Sequence, residues 1–260
     1  MTDPTPGVEV VANGPLRRIT LNDPARRNPL SIPLREALHD ALAEAMADDC
    51  VRAVVLTGAG GTFSSGGDVG AMTGLAPLAG RERLRRLHRV IRLLIEGEKP
   101  VIAAVEGHAI GAGLSLAAAC DIVVAASDVR WSCAFARVGL MPDMGSFWTL
   151  PQRMGLGRAR RAMMLAEGFD TATAEAWGLV EEIVPPGEAL ERAETMASQV
   201  ARQSPGALAL TKAWLARGPL PLDAMLTAEA DAQALLFGTA DFAEGRAAFT
   251  EKRPPRFEGR

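Results

Sequence analysis

The sequence predicts an α/β fold in which a parallel sheet is covered by helices and followed by a helical C-terminal region. Short β-branched runs alternate with helical periods through the first half, the pattern that builds such a sheet. Two Gly-rich turns stand where a strand hands over to a helix, at 63–68 and 107–114. The composition shifts toward helix at Pro185-Pro186-Gly187. The expected division is an α/β core over residues 1–186 and a helical region over 187–260.

Arg17-Arg18-Ile19-Thr20-Leu21 alternates like a strand and stops at Asn22-Asp23-Pro24. Pro33 suits a first helical turn, and Leu34, Leu38, Ala41, Leu42, Ala45 and Met46 follow helical spacing. Residues 53–57 form an apolar strand ended by Gly58. Leu84, Leu87, Ile91, Leu94 and Ile95 mark an amphipathic helix whose arginine-rich face reads as solvated. Pro100 pushes Lys99 out of the α region and restarts an extended segment at 101–105. A turn at 107–113, an Ala-rich helix to Cys120 and a strand at 121–125 follow. Helical segments fall near 157–167, 172–177, 188–203, 205–217, 222–236 and 240–250, with one short strand near 179–184.

A chain of 260 residues with 48% hydrophobic residues can bury a sizeable core, which excludes disorder and a small disulfide scaffold. The formal charge of -3 gives no footprint for a polyanion, so no nucleic-acid partner is expected. Cys50, Cys120 and Cys133 lie in apolar settings without metal-ligand spacing. They read as buried free thiols of a reducing compartment, with no metal site. The N-terminus lacks a basic region and an apolar core of the kind a leader needs, and the longest apolar stretch, 109–120, is too short to span a bilayer. The expectation is a cytoplasmic protein without a membrane partner.

Gly58-Ala59-Gly60 follows a strand, but Phe63 occupies the third glycine position of a dinucleotide loop. No P-loop and no Gly-x-Ser-x-Gly elbow occurs. What remains is the pair of turns Phe63-Ser64-Ser65-Gly66-Gly67-Asp68 and Gly107-His108-Ala109-Ile110-Gly111-Ala112-Gly113-Leu114. Glycines there serve close helix–sheet packing, or they let two backbone N–H groups face a ligand oxygen as an oxyanion hole. Spacing alone leaves both open.

These turns, with Lys99-Pro100-Val101-Ile102-Ala103-Ala104-Val105-Glu106-Gly107 between them, resemble the crotonase (enoyl-CoA hydratase/isomerase) superfamily. The likeness extends through Arg27-Asn28-Pro29-Leu30-Ser31, Gly139-Leu140-Met141-Pro142-Asp143, Ala176-Trp177-Gly178-Leu179-Val180 and Phe249-Thr250-Glu251-Lys252-Arg253, spanning nearly the whole chain. The resemblance implies a spiral of ββα units with a helical C-terminal trimerisation region, a homotrimer or dimer of trimers, and an acyl-CoA thioester substrate. No separate cofactor is implied, because coenzyme A is part of the substrate. By the motif match, the backbone N–H groups of Gly67 and Ala112 hold the thioester oxygen, with Ser65, Gly66, Gly111 and Gly113 binding the substrate beside them. One preorganised donor of this kind is typically worth ~3–4 kcal/mol of barrier.

Hydratases of this family carry two glutamates, and the matching positions here are Ser115 and Phe135. Neither is a carboxylate. Asp143 falls where isomerases carry an acid, including the phenylacetate ring-opening type to which the pattern is closest, and where a dehalogenating branch carries a nucleophile. The implied reaction is movement of a double bond, or rearrangement of an epoxy-aryl group, through an enolate, with Asp143 as the proton shuttle. The other readings are an atypical hydratase, a CoA-thioester hydrolase or dehalogenase, and a non-catalytic acyl-CoA- or RNA-binding relative. Turn chemistry is the bland reading of Asp143.

Asp68 reads as a cap at a helix start and His108 as a satisfied structural histidine, with His39 and His88 at helix positions on the surface or in the core. Trp131, Phe135, Phe147 and Trp148 surround the Asp143 loop in sequence and read equally as pocket lining or core. Met141, Met144, Met154, Met163 and Met164 read as filler. Arg26, Arg27 and Asn28 match a segment near coenzyme A in relatives, and Lys252 a tail lysine that reaches its phosphates, often across a subunit boundary. The loop over 70–80 is expected to shape the pocket.

Overall fold

The protein is described from a computed structural model covering residues 7–74 and 76–259. The first six residues, which carry part of the leader reading, and Leu75 of the 70–80 loop lie outside the described residues, as does Arg260.

Six strands form the main sheet in the order β1 (Gly7–Asn13), β2 (Leu16–Asn22), β3 (Ala53–Gly58), β4 (Val101–Val105), β6 (Ile122–Ala126) and β9 (Glu182–Val184). β1 and β2 pair antiparallel, and the remaining neighbours pair parallel. Between them run the helices α1 (Ile32–Ala47), α2 (Pro77–Glu96) and α3 (Ala112–Ala118). A second, three-stranded sheet joins β5 (His108–Ile110), β7 (Arg130–Ser132) and β8 (Gly168–Phe169). The expected ββα units are therefore present. The structure adds β1, β5, β7 and β8, which carry no readable pattern: β1 is exposed along most of its length, and the other three are two or three residues long.

The sheet is buried on both faces, so its parallel strands are continuously apolar and their alternate residues enter different cores. Val54, Leu56, Ala103 and Val105 join the core beneath α1, α2 and α3. Ala53, Val55, Ile102 and Ala104 pack on the opposite face against Ala189, Ala193 and Ala197 of α6 (Ala189–Val200). Those three alanines recur every four residues, a stripe narrow enough to lie flat on the strands. The last strand, β9, ends at Val184, and α6 beyond it covers one face of the sheet.

Helix α4 (Ser146–Leu165) begins much earlier than the expected segment at 157 and is broken at Gly155, whose φ of 76° interrupts the helical path. It is followed by α5 (Thr171–Trp177), and beyond α6 come α7 (Pro205–Leu215), α8 (Leu222–Phe237) and α9 (Ala240–Glu251). Lys212, only 5% exposed, fixes α7 to the core by an ion pair of 2.6 Å to Asp121 and a 2.9 Å hydrogen bond to the Lys99 carbonyl. Among the described residues no helix is long and apolar enough to cross a membrane.

Candidate active site

The two Gly-rich turns meet. Ser64 N donates to His108 O at 2.9 Å and Ile110 N donates to Ser64 O at 3.1 Å, zipping the first turn onto β5. A Cβ on Gly66 would lie 2.6 Å from Ile110 O and 3.5 Å from Ala112 N, and one on Gly113 would lie 2.6 Å from Ser64 O. Only glycine permits this approach, and Gly66 also holds a φ of 98°. Leu30 N donates to Gly66 O at 2.7 Å, placing Leu30 opposite Gly67 in a parallel bridge that does not call on the Gly67 N–H. Ala112 opens α3, where first-turn N–H groups have no intrahelical acceptor. The two amides named from the motif match are therefore brought to one junction.

Asp143 is tied to the same junction by serines. Ser146 N and Oγ both donate to the Asp143 carbonyl, at 3.2 and 2.7 Å. Ser146 Oγ lies 2.6 Å from Ser115 Oγ, and Ser115 N donates to Gly111 O at 3.1 Å. Both serines are fully buried. Met144, also fully buried, adopts a φ of 52°, so the backbone is strained immediately after Asp143. The Asp143 side chain is half-buried and its Oδ1 has no hydrogen-bond partner among the described residues. Burial pushes this carboxyl up to about 6, against the opposing pull of the Arg35 and Arg83 charges. A carboxyl held there exchanges protons readily near neutral pH.

Sequence reasoning missed four residues around this carboxyl. Ser146 carried no signal. Cys133 is fully buried, and burial followed by the Asp143 charge pushes its thiol up to about 12, which keeps it protonated. Arg35 is 8% exposed and stands on the apolar stripe of α1 with Leu38 and Leu42. Arg83 occupies the α2 stripe of Leu87, Val90 and Leu94, and its Nη2 is buried without a partner among the described residues. It is not part of a solvated arginine face. Helical phase was the available signal for both arginines: each continues a run of buried positions.

Other expected residues fall in several places. Arg26 is exposed and pairs with Asp68 at 3.0 Å and Asp23 at 3.7 Å, and Arg27 is exposed beside it. Asp68 makes no capping hydrogen bond; its carboxylate serves Arg26 instead. Asn28 is fully buried, accepting from Asp23 N and donating to Ala59 O and Thr62 O, so its side chain braces the loop instead of facing a ligand. Ser65 N donates to Arg27 O at 2.8 Å, laying the arginine loop along the first turn.

Phe135 is buried with its ring 4.0 Å from where a Cβ on Gly111 would stand, at the junction. Trp131 is fully buried in the core, its indole N–H donating to Thr171 Oγ1 at 3.3 Å. Phe147 and Trp148 are exposed, as are Met141 and Met164, whereas Met144 and Met154 are buried. His108 is not the satisfied histidine expected, since Nδ1 is buried without a partner among the described residues. His88 is exposed, and His39 is half-buried beside Asp40 at 2.9 Å. Lys252 is exposed at the end of α9. Cys120 and Cys133 are buried free thiols, but Cys50 is exposed, because it follows α1 in a surface turn.

Comparison with known proteins agrees with this architecture. Residues 12–260 match the family described as "Enoyl-CoA hydratase/isomerase". The chain is 36% identical to the 1,2-epoxyphenylacetyl-CoA isomerase of Escherichia coli K12 over 93% of this chain and 94% of that one. It is 34% identical to the crotonyl-CoA hydratase of Syntrophomonas wolfei, covering 91% and 92%. A crystal structure of an enoyl-CoA hydratase from Polaromonas sp. JS666 superposes with a TM-score of 0.92 at 34% identity, covering 96% of this chain and 99% of that one. With its paired Gly turns and its sheet topology, the chain belongs to the enoyl-CoA hydratase/isomerase family of the crotonase superfamily.

Proposed function

We propose that this enzyme isomerises acyl-CoA thioesters, moving a double bond or rearranging an epoxy-aryl acyl group through an enolate. In this reading the Gly67 and Ala112 amides bind the thioester oxygen, and Asp143 removes the proton from C2 of a 3-enoyl thioester. The electron pair delocalises onto the oxygen, and the same carboxyl returns the proton to C4. The likeness to an epoxyphenylacetyl-CoA isomerase supports this chemistry. The single observation that carries it is the Asp143 carboxyl, with an unpartnered, buried Oδ1 and a pKa pushed up to about 6 by burial; the resemblance adds that Ser115 and Phe135 stand at the two positions where hydratases carry glutamates.

The chemistry draws on no cofactor beyond the coenzyme A of the substrate. Arg26, Arg27 and Lys252 are exposed cations suited to its phosphates. Copies of the chain assemble in this reading as a homotrimer or a dimer of trimers in the cytoplasm. Exposed Leu215, Leu222, Leu235, Phe237 and Phe249 on the C-terminal helices support assembly, and light scattering tests it.

A second reading, hydration with Asp143 as sole carboxylate, is favoured by relatives from Syntrophomonas wolfei and Clostridium acetobutylicum that are named hydratases. Turnover of a 3-enoyl-CoA and, separately, of a 2-enoyl-CoA in 18O-labelled water separates the two. Isomerisation gives an unlabelled product of unchanged mass. Incorporation of the label with addition of one water supports hydration instead.

A further inference from the structure

Arg35 and Arg83 are not used by the proton transfer, yet they are the least ordinary charges in the molecule. Arg35 is 8% exposed, and its single described hydrogen bond runs from Nε to the Ser31 carbonyl at 3.3 Å. Arg83 buries Nη2 without an acceptor. Neither lies within 4.0 Å of a carboxylate among the described residues, although Arg86 alongside them is shared by Glu36 and Glu82 at 3.6 Å each. A buried cation without an ion pair is costly, and a like charge in the same cavity adds to the cost. Burial, and then the Arg83 charge, push Arg35 down to about 10.

Arg35 and Arg83 line a cavity of about 340 Å³ between α1 and α2, with Ile32, Leu87 and Ala71 supplying apolar wall; Glu36 and Glu82 also line it, and both are paired with Arg86. The helix that walls the cavity also packs on the Asp143 loop: α2 carries both Arg83 and Ile91, and Ile91 Cγ2 would be 3.1 Å from a Cβ on Gly145. Serving as counter-ions to Asp143 does not account for the pair. Such a counter-ion sits within hydrogen-bond distance, whereas Asp143 Oδ1 has no partner and both arginines lie beyond ion-pair distance.

We propose that the cavity lined by Arg35 and Arg83 is a subsite for a carboxylate at the far end of the acyl chain, so that the preferred substrates are CoA thioesters of dicarboxylic acids. Two guanidinium groups offer the donors a carboxylate needs, and the apolar wall receives the methylenes leading to it. The inference rests on the site being an acyl-CoA site, but not on which reaction follows.

Calorimetric binding of the unreactive thioesters adipyl-CoA and hexanoyl-CoA tests it, since they share coenzyme A and carbon number and differ in the terminal group. Wild type is expected to bind adipyl-CoA about tenfold tighter or better, the range of a charge-assisted pair. Arg83→Gln, and Arg35→Gln where its melting curve shows it folded, should bring the two affinities to within about threefold. Arg85→Gln, on the same helix but outside the cavity, should keep the preference. Equal binding by wild type overturns the proposal. So does a loss in Arg83→Gln that is the same for both ligands, which would assign the guanidinium to the phosphates of coenzyme A. Because binding is read without turnover, absence of isomerisation defeats the proposed reaction and leaves this result standing; absence of binding by either thioester defeats both.

Discussion

Ser115 Oγ and Ser146 Oγ lie 2.6 Å apart, and this contact joins the helix that opens at Ala112 to the loop that carries Asp143. By the resemblance of its turn, Ser115 stands where hydratases carry a glutamate; in this structure its hydroxyl reaches Ser146 Oγ and Gly111 O. With Ser146 donating to the Asp143 carbonyl, Ser115 is left to donate to Ser146 or to Gly111 O at 3.2 Å. The position of the candidate base relative to the candidate amides therefore depends on two buried hydroxyls.

Replacing either serine by alanine should loosen that link. Ser146→Ala is expected to lower kcat about tenfold and to cost ~1–2 kcal/mol of stability, with KM little changed. A double-mutant cycle with Ser115→Ala should give a coupling of about 1 kcal/mol. Strict additivity in kinetics and melting would show that the pair does not act as a unit.

The pH dependence of kcat/KM should show an acid limb with an apparent pKa of about 6, because Asp143 must be ionised to accept a proton and burial holds its pKa there. Activity falls as pH drops through that value. Arg83→Gln removes a positive charge that favours the ionised form, so the limb should move to higher pH. A limb that stays in place would separate Asp143 from the profile.

The same shift carries a stability signature. In the unfolded chain this carboxyl ionises near 3.8, so between about pH 4 and 6 the folded state binds more protons and Asp143 destabilises the fold increasingly as pH rises. Asp143→Asn should raise stability above pH 6 by on the order of 2 kcal/mol and by little at pH 4. Chemical denaturation at the two pH values measures the difference.

Glycines divide sharply by what surrounds them. Gly113→Ala forces a Cβ to within 2.6 Å of Ser64 O and should destabilise by about 2–3 kcal/mol or more while disrupting the junction. Gly157 sits in α4 with nothing within 4 Å of an added Cβ, so Gly157→Ala should stabilise by up to about 1 kcal/mol. Thermal melts of both variants check the contrast.

How much of this was legible in the sequence follows from the physics of each element. β3, β4 and β6 are buried on both faces and read as unbroken apolar runs, and the alanine face of α6 fell within a readable helical period. β5, β7 and β8 are too short for a period, and the junction they build could be named only from the resemblance of its turns. Asn28 matched a ligand-side segment, but a motif match does not say which way a side chain points, and this one points inward to three backbone groups. Arg35 and Arg83 were readable as charges on an apolar stripe. The serine link was not, because Ser115 and Ser146 are 31 residues apart and become neighbours only through the fold.

The most direct test of the proposed proton transfer is turnover of a 3-enoyl-CoA by wild type and Asp143→Asn, with calorimetric binding of the acyl-CoA as a control for an intact site. The account predicts a mass-neutral 2-enoyl product from wild type, and a rate reduced by about 10²–10⁴ in the variant with affinity retained. Undiminished turnover by Asp143→Asn would contradict it.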